Sequence, residues 1–292
     1  MIVFLTGATG FIGKYIKAEL VSKGQEVISH SLSQNGAFKK LPDDIDIVIN
    51  SAGRLGGQNA SNQELTDANV NLPVALAKEC NRLSIPLIHL STPGVTGLIP
   101  NANEDQPYEP LGEYEASKVE AEKQLKLLCK KLTILRPDFV FGPGDKHKLP
   151  LFKQVNKGWF PLVGLGSAKT RPTDVRDVVN AVIESFPGKP LADGLYNIGG
   201  PNILTVKNIA EQISIALGKS VQFYPIPRIV FKIALAFGPL CPKAISKSRY
   251  QLFGADRYCN TEKAAKKGFI ASRSFAITAI EAVTDYKKQG LL

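Results

Sequence analysis

The sequence opens on a turn that few folds can use. Met1-Ile-Val-Phe-Leu-Thr6 is a short apolar, β-branched run, and Gly7-Ala-Thr-Gly10-Phe-Ile-Gly13 follows it directly. Beyond it, apolar residues recur at helical spacing, with Ile12, Ile16, Leu20 and Val21 on one face. Strand, glycine turn and helix in this order predict an α/β doubly wound parallel sheet of the Rossmann type, with a dinucleotide at the turn. One glycine permits the sharp turn, one lets the backbone approach a pyrophosphate, and the last lets the helix pack close to the sheet. The pyrophosphate then rests on a helix N-terminus, where N–H groups and the dipole favour an anion. Gly7, Thr9, Gly10, Phe11, Ile12 and Gly13 are the candidate cofactor contacts; a glycine turn without a ligand is the alternative.

Charge narrows the partners. The 292 residues carry 36 Lys and Arg against 26 Asp and Glu, a formal net charge of +10. That balance favours anionic partners: a dinucleotide, a nucleoside diphosphate, nucleic acid or a membrane surface. No basic stretch is interleaved with aromatics, so nucleic acid is not expected. No apolar run reaches the ~18 residues that span a bilayer. The first residues lack a basic leader before their apolar run, which predicts a cytoplasmic protein. Cys80, Cys129, Cys241 and Cys259 show no metal-ligand spacing and the three histidines are scattered, so thiols and no metal centre are expected.

Along the chain, Glu26–Ser29 reads as a second strand. The place where an acid would hold the ribose hydroxyls of NAD falls near Ser31. A small hydroxyl there leaves room for a 2′-phosphate, with Lys14, Lys39 or Lys40 to supply charge, so the cofactor is NADP or NAD with a lean to NADP. The stretch from Gln34 to Asp44 leads at once into the strand Ile45–Asn50, too short for a further helix and strand, which predicts a trimmed sheet edge. Ser51-Ala-Gly53 closes that strand with residues small enough for a cofactor to lie close. Glu64–Leu83 reads as a helix with Asn69 on its inner side, and Pro86–Ser91 as a buried strand whose end opens into Thr92-Pro93-Gly94.

Leu111–Lys130 is the informative helix. Tyr114 and Lys118 stand four residues apart on one face. An ammonium near a phenol is expected to lower the phenol's pKa from about 10, and a phenol so tuned can exchange a proton with a substrate hydroxyl or carbonyl. Thr92 is placed to hydrogen-bond the same oxygen. An amphipathic surface helix is the plain alternative. Leu132–Pro137 is the next strand, followed by the loop Phe139-Val-Phe-Gly-Pro-Gly-Asp145. Regular alternation ends there. Residues 1–148 are read as the dinucleotide-binding domain, with returns from about 174–200, and 149–292 as a smaller α/β substrate-binding region. Thr205 is the expected N-cap of a helix to Leu217, and a last helix runs over about 274–288. Residues 226–240 are apolar nearly all round, with Arg228 and Lys232 on one face. A buried helix is the favoured reading; a pocket wall, a dimer contact or a peripheral membrane contact remain open.

Together these residues resemble the NAD-dependent epimerase/dehydratase branch of the extended short-chain dehydrogenase/reductase superfamily. Thr6-Gly-Ala-Thr-Gly-Phe-Ile-Gly13 matches the cofactor turn, Ser91-Thr92 with Gly97 the active-site strand end, Tyr114 and Lys118 the tyrosine-xxx-lysine pair, and Arg136-Pro137 with Phe141-Gly142-Pro143 the loop toward the substrate region. Asp177, Asn197-Ile-Gly-Gly200 and Lys266-Lys-Gly-Phe269 match weaker patterns. The resemblance implies hydride transfer at a carbinol carbon. Thr92, Tyr114 and Lys118 would be catalytic, and Ser51, Ala52, Gly53, Asn69, Pro137, Phe139 and Val140 would line the cofactor. Thr92, Pro93, Phe139, Arg171 and Arg249 would meet substrate. It implies a nucleotide-diphosphate sugar as substrate and a homodimer. Phe139 replaces an asparagine common in nucleotide-sugar members, so a reductase or dehydrogenase of a more apolar alcohol or ketone stands as the alternative, and a non-catalytic cofactor-bound scaffold as another. Pro93 and Gly94 stand where dehydratases carry acid–base side chains, which argues against dehydration.

Overall fold

The computed structural model describes residues 1–31, 38–55, 61–230 and 253–292. Its centre is a parallel sheet of six strands: β1 (Ile2–Thr6), β2 (Glu26–His30), β3 (Ile47–Asn50), β4 (Leu87–Leu90), β5 (Leu132–Pro137) and a late strand, Leu195–Ile198. Across the sheet these run in the order late strand, β5, β4, β3, β1, β2. Alternation sends Val3, Leu5, Ile47 and Ile49 to one face and Phe4 and Val48 to the other. Both faces are covered, as a parallel sheet requires. α1 (Phe11–Ser22) and the helix Val175–Ile183 cover the first; the second meets the helix that ends at Leu83 and the helix Glu113–Leu128. The fold is the Rossmann arrangement expected. β2 lies at the sheet edge and residues 38–46 hold no strand, in keeping with the trimmed edge.

The helix expected over 64–83 carries a detail its apolar spacing does not disclose. Its first turn, Asn62–Thr66, is closed by a capping box: Glu64 N–H donates to Ser61 Oγ at 3.2 Å and Ser61 N–H to Glu64 Oε2 at 2.9 Å. Asp67–Asn71 then winds as a π-turn before the helix resumes at Leu72–Leu83. The wider turn lets two successive residues, Asn69 and Val70, face inward.

Past Phe141 a second core forms. Phe152, Val155 and Phe160 pack with Ile209 and Ile213 of the helix Val206–Leu217 and with Phe275, Val283 and Tyr286 of the helix Phe275–Lys288. Thr205 caps its helix by accepting from Asn208 N–H at 3.0 Å, as expected. The stretch 226–240 is corrected in part. Ile226 ends a strand, Gln222–Ile226, paired with Trp159–Val163, and Ile229 and Val230 are exposed, not core. Residues 231–240 lie outside the described residues. No helix among the described residues is long and apolar enough to cross a membrane.

Candidate active site

The sheet supplies a crevice at the point where its order reverses. From β1 the chain goes to β2 on one side and then crosses to β3 on the other, so the loops after β1 and β3 diverge. Asn50 ties them: Thr6 Oγ1 donates to its Oδ1 at 2.6 Å, and Ser51 Oγ donates to Thr6 O at 2.7 Å. Gly7 turns at a φ of 73°, open to glycine at no steric cost, and a Cβ there would sit 2.6 Å from Ala52 N. A Cβ on Gly13 would run into the Gly7 carbonyl, so the helix meets the turn backbone to backbone. Gly10 differs: a Cβ there would meet only the Gly7 carbonyl, at 3.2 Å, and its other side is open. It begins α1 with no side chain capping the helix. Uncapped N–H groups behind an open glycine fit a pyrophosphate.

A cavity of about 460 Å³ runs from this turn across the strand ends. Gly10, Phe11, Ile12, Gly13, Ser51, Ala52 and Gly53 form one end of its wall; Thr92, Tyr114, Lys118, Pro137, Phe139 and Val140 follow. Other expected contacts do not line it. Gly7 and Thr9 belong to the turn behind the wall, Ser31 stands at the end of β2, and Pro93 faces a smaller cleft. Asn69 is fully buried: its amide donates to Arg54 O and Ser117 Oγ and accepts from Arg54 N–H at 2.8 Å, so it shapes the loop after Gly53. Arg171 is a correction. Its guanidinium donates to the carbonyls of Gly200, at 2.8 Å, and Cys259, at 3.0 Å, and so joins two chain segments instead of facing the cavity. Arg249 lies outside the described residues.

Thr92 Oγ1 accepts from Gly94 N–H at 3.2 Å. A hydroxyl that accepts from the main chain keeps its proton for an acceptor in the cavity. Lys118, almost wholly buried, donates to Leu90 O at 3.0 Å and lies beneath Gly53, where a Cβ would be 3.3 Å from its Nζ. Burial pushes its pKa down to about 8. The expected depression of the Tyr114 phenol is not what the geometry gives. Burial pushes that phenol up to about 12, the Glu115 carboxylate acts in the same direction, and Arg257 opposes. The Lys118 ammonium is engaged on Leu90 and is not among the charges that bear on the phenol.

Behind this row lies a buried network. Glu122 accepts from Arg136 Nε at 2.9 Å and Nη2 at 2.6 Å, from Ser91 Oγ at 2.5 Å and from Tyr108 OH at 2.9 Å. Sequence reasoning also missed several charged wall residues: Glu115, Asp138, Asp145, Lys148 and Arg257. Asp138 was adjacent to residues already singled out; Arg257 carries no motif and arrives from far along the chain. Asp138 is buried and accepts from Cys259 N–H at 3.2 Å, and burial pushes its carboxyl up to about 6 despite Arg257. A carboxyl raised in the folded state weakens the fold progressively from about pH 4 to 6 and fully above it. Asp138→Asn is therefore expected to raise stability at pH 7 by on the order of 2–3 kcal/mol, with little effect below pH 4. Urea unfolding of both proteins at pH 4 and 7 checks this.

Residues 3–199 match the pattern of the NAD dependent epimerase/dehydratase family. The sterol-4-alpha-carboxylate 3-dehydrogenase, decarboxylating, of Dictyostelium discoideum is 34% identical over 198 residues, covering 56% of this chain and 60% of that protein. The chain thus spans about three fifths of that relative's length. UDP-glucose 4-epimerase of Vibrio cholerae is 25% identical over 275 residues, covering 83% of each. The structure of UDP-glucuronic acid 4-epimerase from Bacillus cereus in complex with NAD superposes with a TM-score of 0.76 at 19% identity, covering 99% of both chains, a likeness of fold. The family pattern covers about two thirds of the residues, so the chain belongs to the NAD dependent epimerase/dehydratase family and is an enzyme of the extended short-chain dehydrogenase/reductase type.

Proposed function

We propose that this enzyme transfers hydride between a nicotinamide cofactor and a carbinol or keto carbon, with Tyr114 as general acid or base. The observation that carries the reading is the convergence of Thr92, Tyr114 and Lys118 on the cavity that begins at Gly10–Gly13. A bound nicotinamide supplies the hydride acceptor or donor. Thr92 orients the substrate oxygen. Tyr114, protonated at neutral pH with its raised pKa, donates to an oxygen on which negative charge develops. Lys118 places a cation between Leu90 and Gly53, on the cofactor side. Among the described residues no acid from β2 lines the cavity, which supports NADP beside NAD.

The Vibrio relative's name supports a nucleotide-diphosphate sugar as substrate. A second reading, a more apolar alcohol or ketone, is favoured by the Phe139 ring in the wall and by the engagement of Arg171 elsewhere. Fluorescence titration of NADPH and of NADH into the purified protein tests the reading: saturable binding of at least one is expected, and binding of neither overturns it. A rise in melting temperature with uridine or thymidine diphosphate selects the sugar; no rise selects the apolar alcohol or ketone.

A further inference from the structure

In the wall of the same cavity, two cations, Arg257 and Lys148, stand without a hydrogen-bonded carboxylate among the described residues. Arg257 comes from a turn that is fastened on every side. Its N–H donates to Lys169 O at 2.8 Å, Asp256 Oδ1 accepts from Lys169 N–H at 2.9 Å, Cys259 N–H donates to Asp138 and Asn260 N–H to Ala102 O at 2.8 Å. The guanidinium lies over Gly94, two residues past Thr92. A Cβ on Gly94 would collide with Arg257 Nη2 and lie 3.3 Å from Cζ, so the missing side chain is what admits the cation. Its nearest carboxylate is Glu115, at 3.9 Å, well beyond the ~2.8 Å of a charge-assisted hydrogen bond. Lys148 stands over the Phe139 ring, 4.8 Å from its centroid, and makes no hydrogen bond or ion pair with any described residue. Phe139 itself is held at a φ of 34°, a conformation bulky residues adopt only under constraint. Asp138, Asp145 and Glu115 share the wall and temper these charges without contacting Lys148.

We propose that Arg257 and Lys148 hold an anionic group, a carboxylate or a phosphate, that the substrate carries beside its reacting carbon. The proposal deepens the functional reading above and rests on it for the meaning of "reacting". Arg257 is close enough for its charge to act on the Tyr114 phenol, so an anion on its fork sits at the end of the substrate where the proton moves. A guanidinium fork suits either oxyanion, and Lys148 adds a point charge on a second side. The ring of Phe139 leaves apolar surface below for the substrate's carbon skeleton. Burial and the neighbouring guanidinium push the Lys148 ammonium below its ordinary value, and a bound anion would relieve that pressure.

The test is calorimetric titration of 3-oxooctanoate, its methyl ester and inorganic phosphate into the full chain, as wild type, Arg257→Gln and Lys148→Gln. Wild type is expected to bind the acid at least about tenfold more tightly than the ester, the scale of a charged hydrogen bond. Arg257→Gln is expected to bring acid and ester within about twofold, and Lys148→Gln to narrow the gap by roughly half on the same scale. If Arg257→Gln does not melt cooperatively, Arg257→Lys, which keeps the charge and loses the fork, should give an intermediate gap. Phosphate binding lost in Arg257→Gln assigns a phosphate; acid preference without phosphate binding assigns a carboxylate. Acid and ester bound alike with no phosphate binding in wild type overturn the proposal, as does discrimination or phosphate binding that survives Arg257→Gln. Dinucleotide titration of the same proteins separates the two readings. Binding of dinucleotide without anion preference removes this inference alone. Anion preference without dinucleotide binding removes the functional reading and leaves the anion site.

Discussion

Tyr114→Phe is expected to lower turnover by about 100- to 10,000-fold, the range that a positioned general acid or base contributes, and to leave dinucleotide affinity within about twofold. The substitution removes one hydroxyl from a ring whose body stays in the cavity wall, so shape is kept and only the proton is lost. The hydroxyl is held protonated at neutral pH by burial and by Glu115. Its resting state is that of a donor, which suits reduction of a keto carbon. Oxidation needs the phenolate, so the oxidative rate of the wild type should rise with pH through the neutral range, and that rise should vanish in the variant. Steady-state rates in both directions, with a parallel fluorescence titration of the cofactor, decide the matter. Turnover that survived the change would remove Tyr114 from its assigned role.

Arg136→Met is expected to destabilise the fold by about 3–5 kcal/mol, the effect of leaving a buried charge without its partner. Arg136 and Glu122 are both essentially inaccessible, and the guanidinium makes two of the four hydrogen bonds that Glu122 accepts. In the wild type these bonds hold the Glu122 carboxyl below its ordinary range against the burial that pushes it up. Its contribution is therefore present above the unfolded value near ~4.3 and lost as pH falls through the native one. In Arg136→Met only the Ser91 and Tyr108 hydrogen bonds still oppose burial, the largest influence, so the carboxyl takes up a proton more readily folded than unfolded, and the variant gains relative stability as pH falls. Denaturant unfolding at pH 7 and pH 5 should show the gap narrowing at the lower pH. The double variant Arg136→Met, Glu122→Leu should recover most of the loss, because removing both partners leaves no orphaned charge.

Much of the fold was legible because its period is visible locally. The glycine turn, the β-branched runs and the Thr205 cap each declare themselves within a few residues. The cavity was legible wherever its lining comes from strand ends that carry such punctuation: Gly10–Gly13, Ser51–Gly53, Thr92 and Pro137–Val140. Direction was harder. Asn69 and Arg171 point to main-chain carbonyls, and nothing in their spacing says so. The protonation of Tyr114 followed burial and Glu115 in place of the lysine one turn away, because the Lys118 ammonium found a carbonyl first. Arg257 was out of reach, since its place depends on hydrogen bonds to Lys169, Asp138 and Ala102, residues 88 to 155 positions away that share no pattern with it.

The way the Arg257 turn is fastened bears on the order in which the enzyme is made. The last strand of the central sheet, Leu195–Ile198, pairs with Leu132–Pro137, and Asn197 on it donates to the carbonyls of Ala102 and Asn260. A growing chain that has emerged only as far as Ile198 already contains every strand of that sheet and the whole glycine turn. It holds the turn proposed to cradle a dinucleotide and half of a docking seat, but not Arg257. Only some sixty residues later does the turn arrive and settle on Asn197. Vectorial synthesis therefore separates two parts of the cavity in time: the turn proposed to take the cofactor comes first, and the arginine proposed to discriminate among substrates comes last.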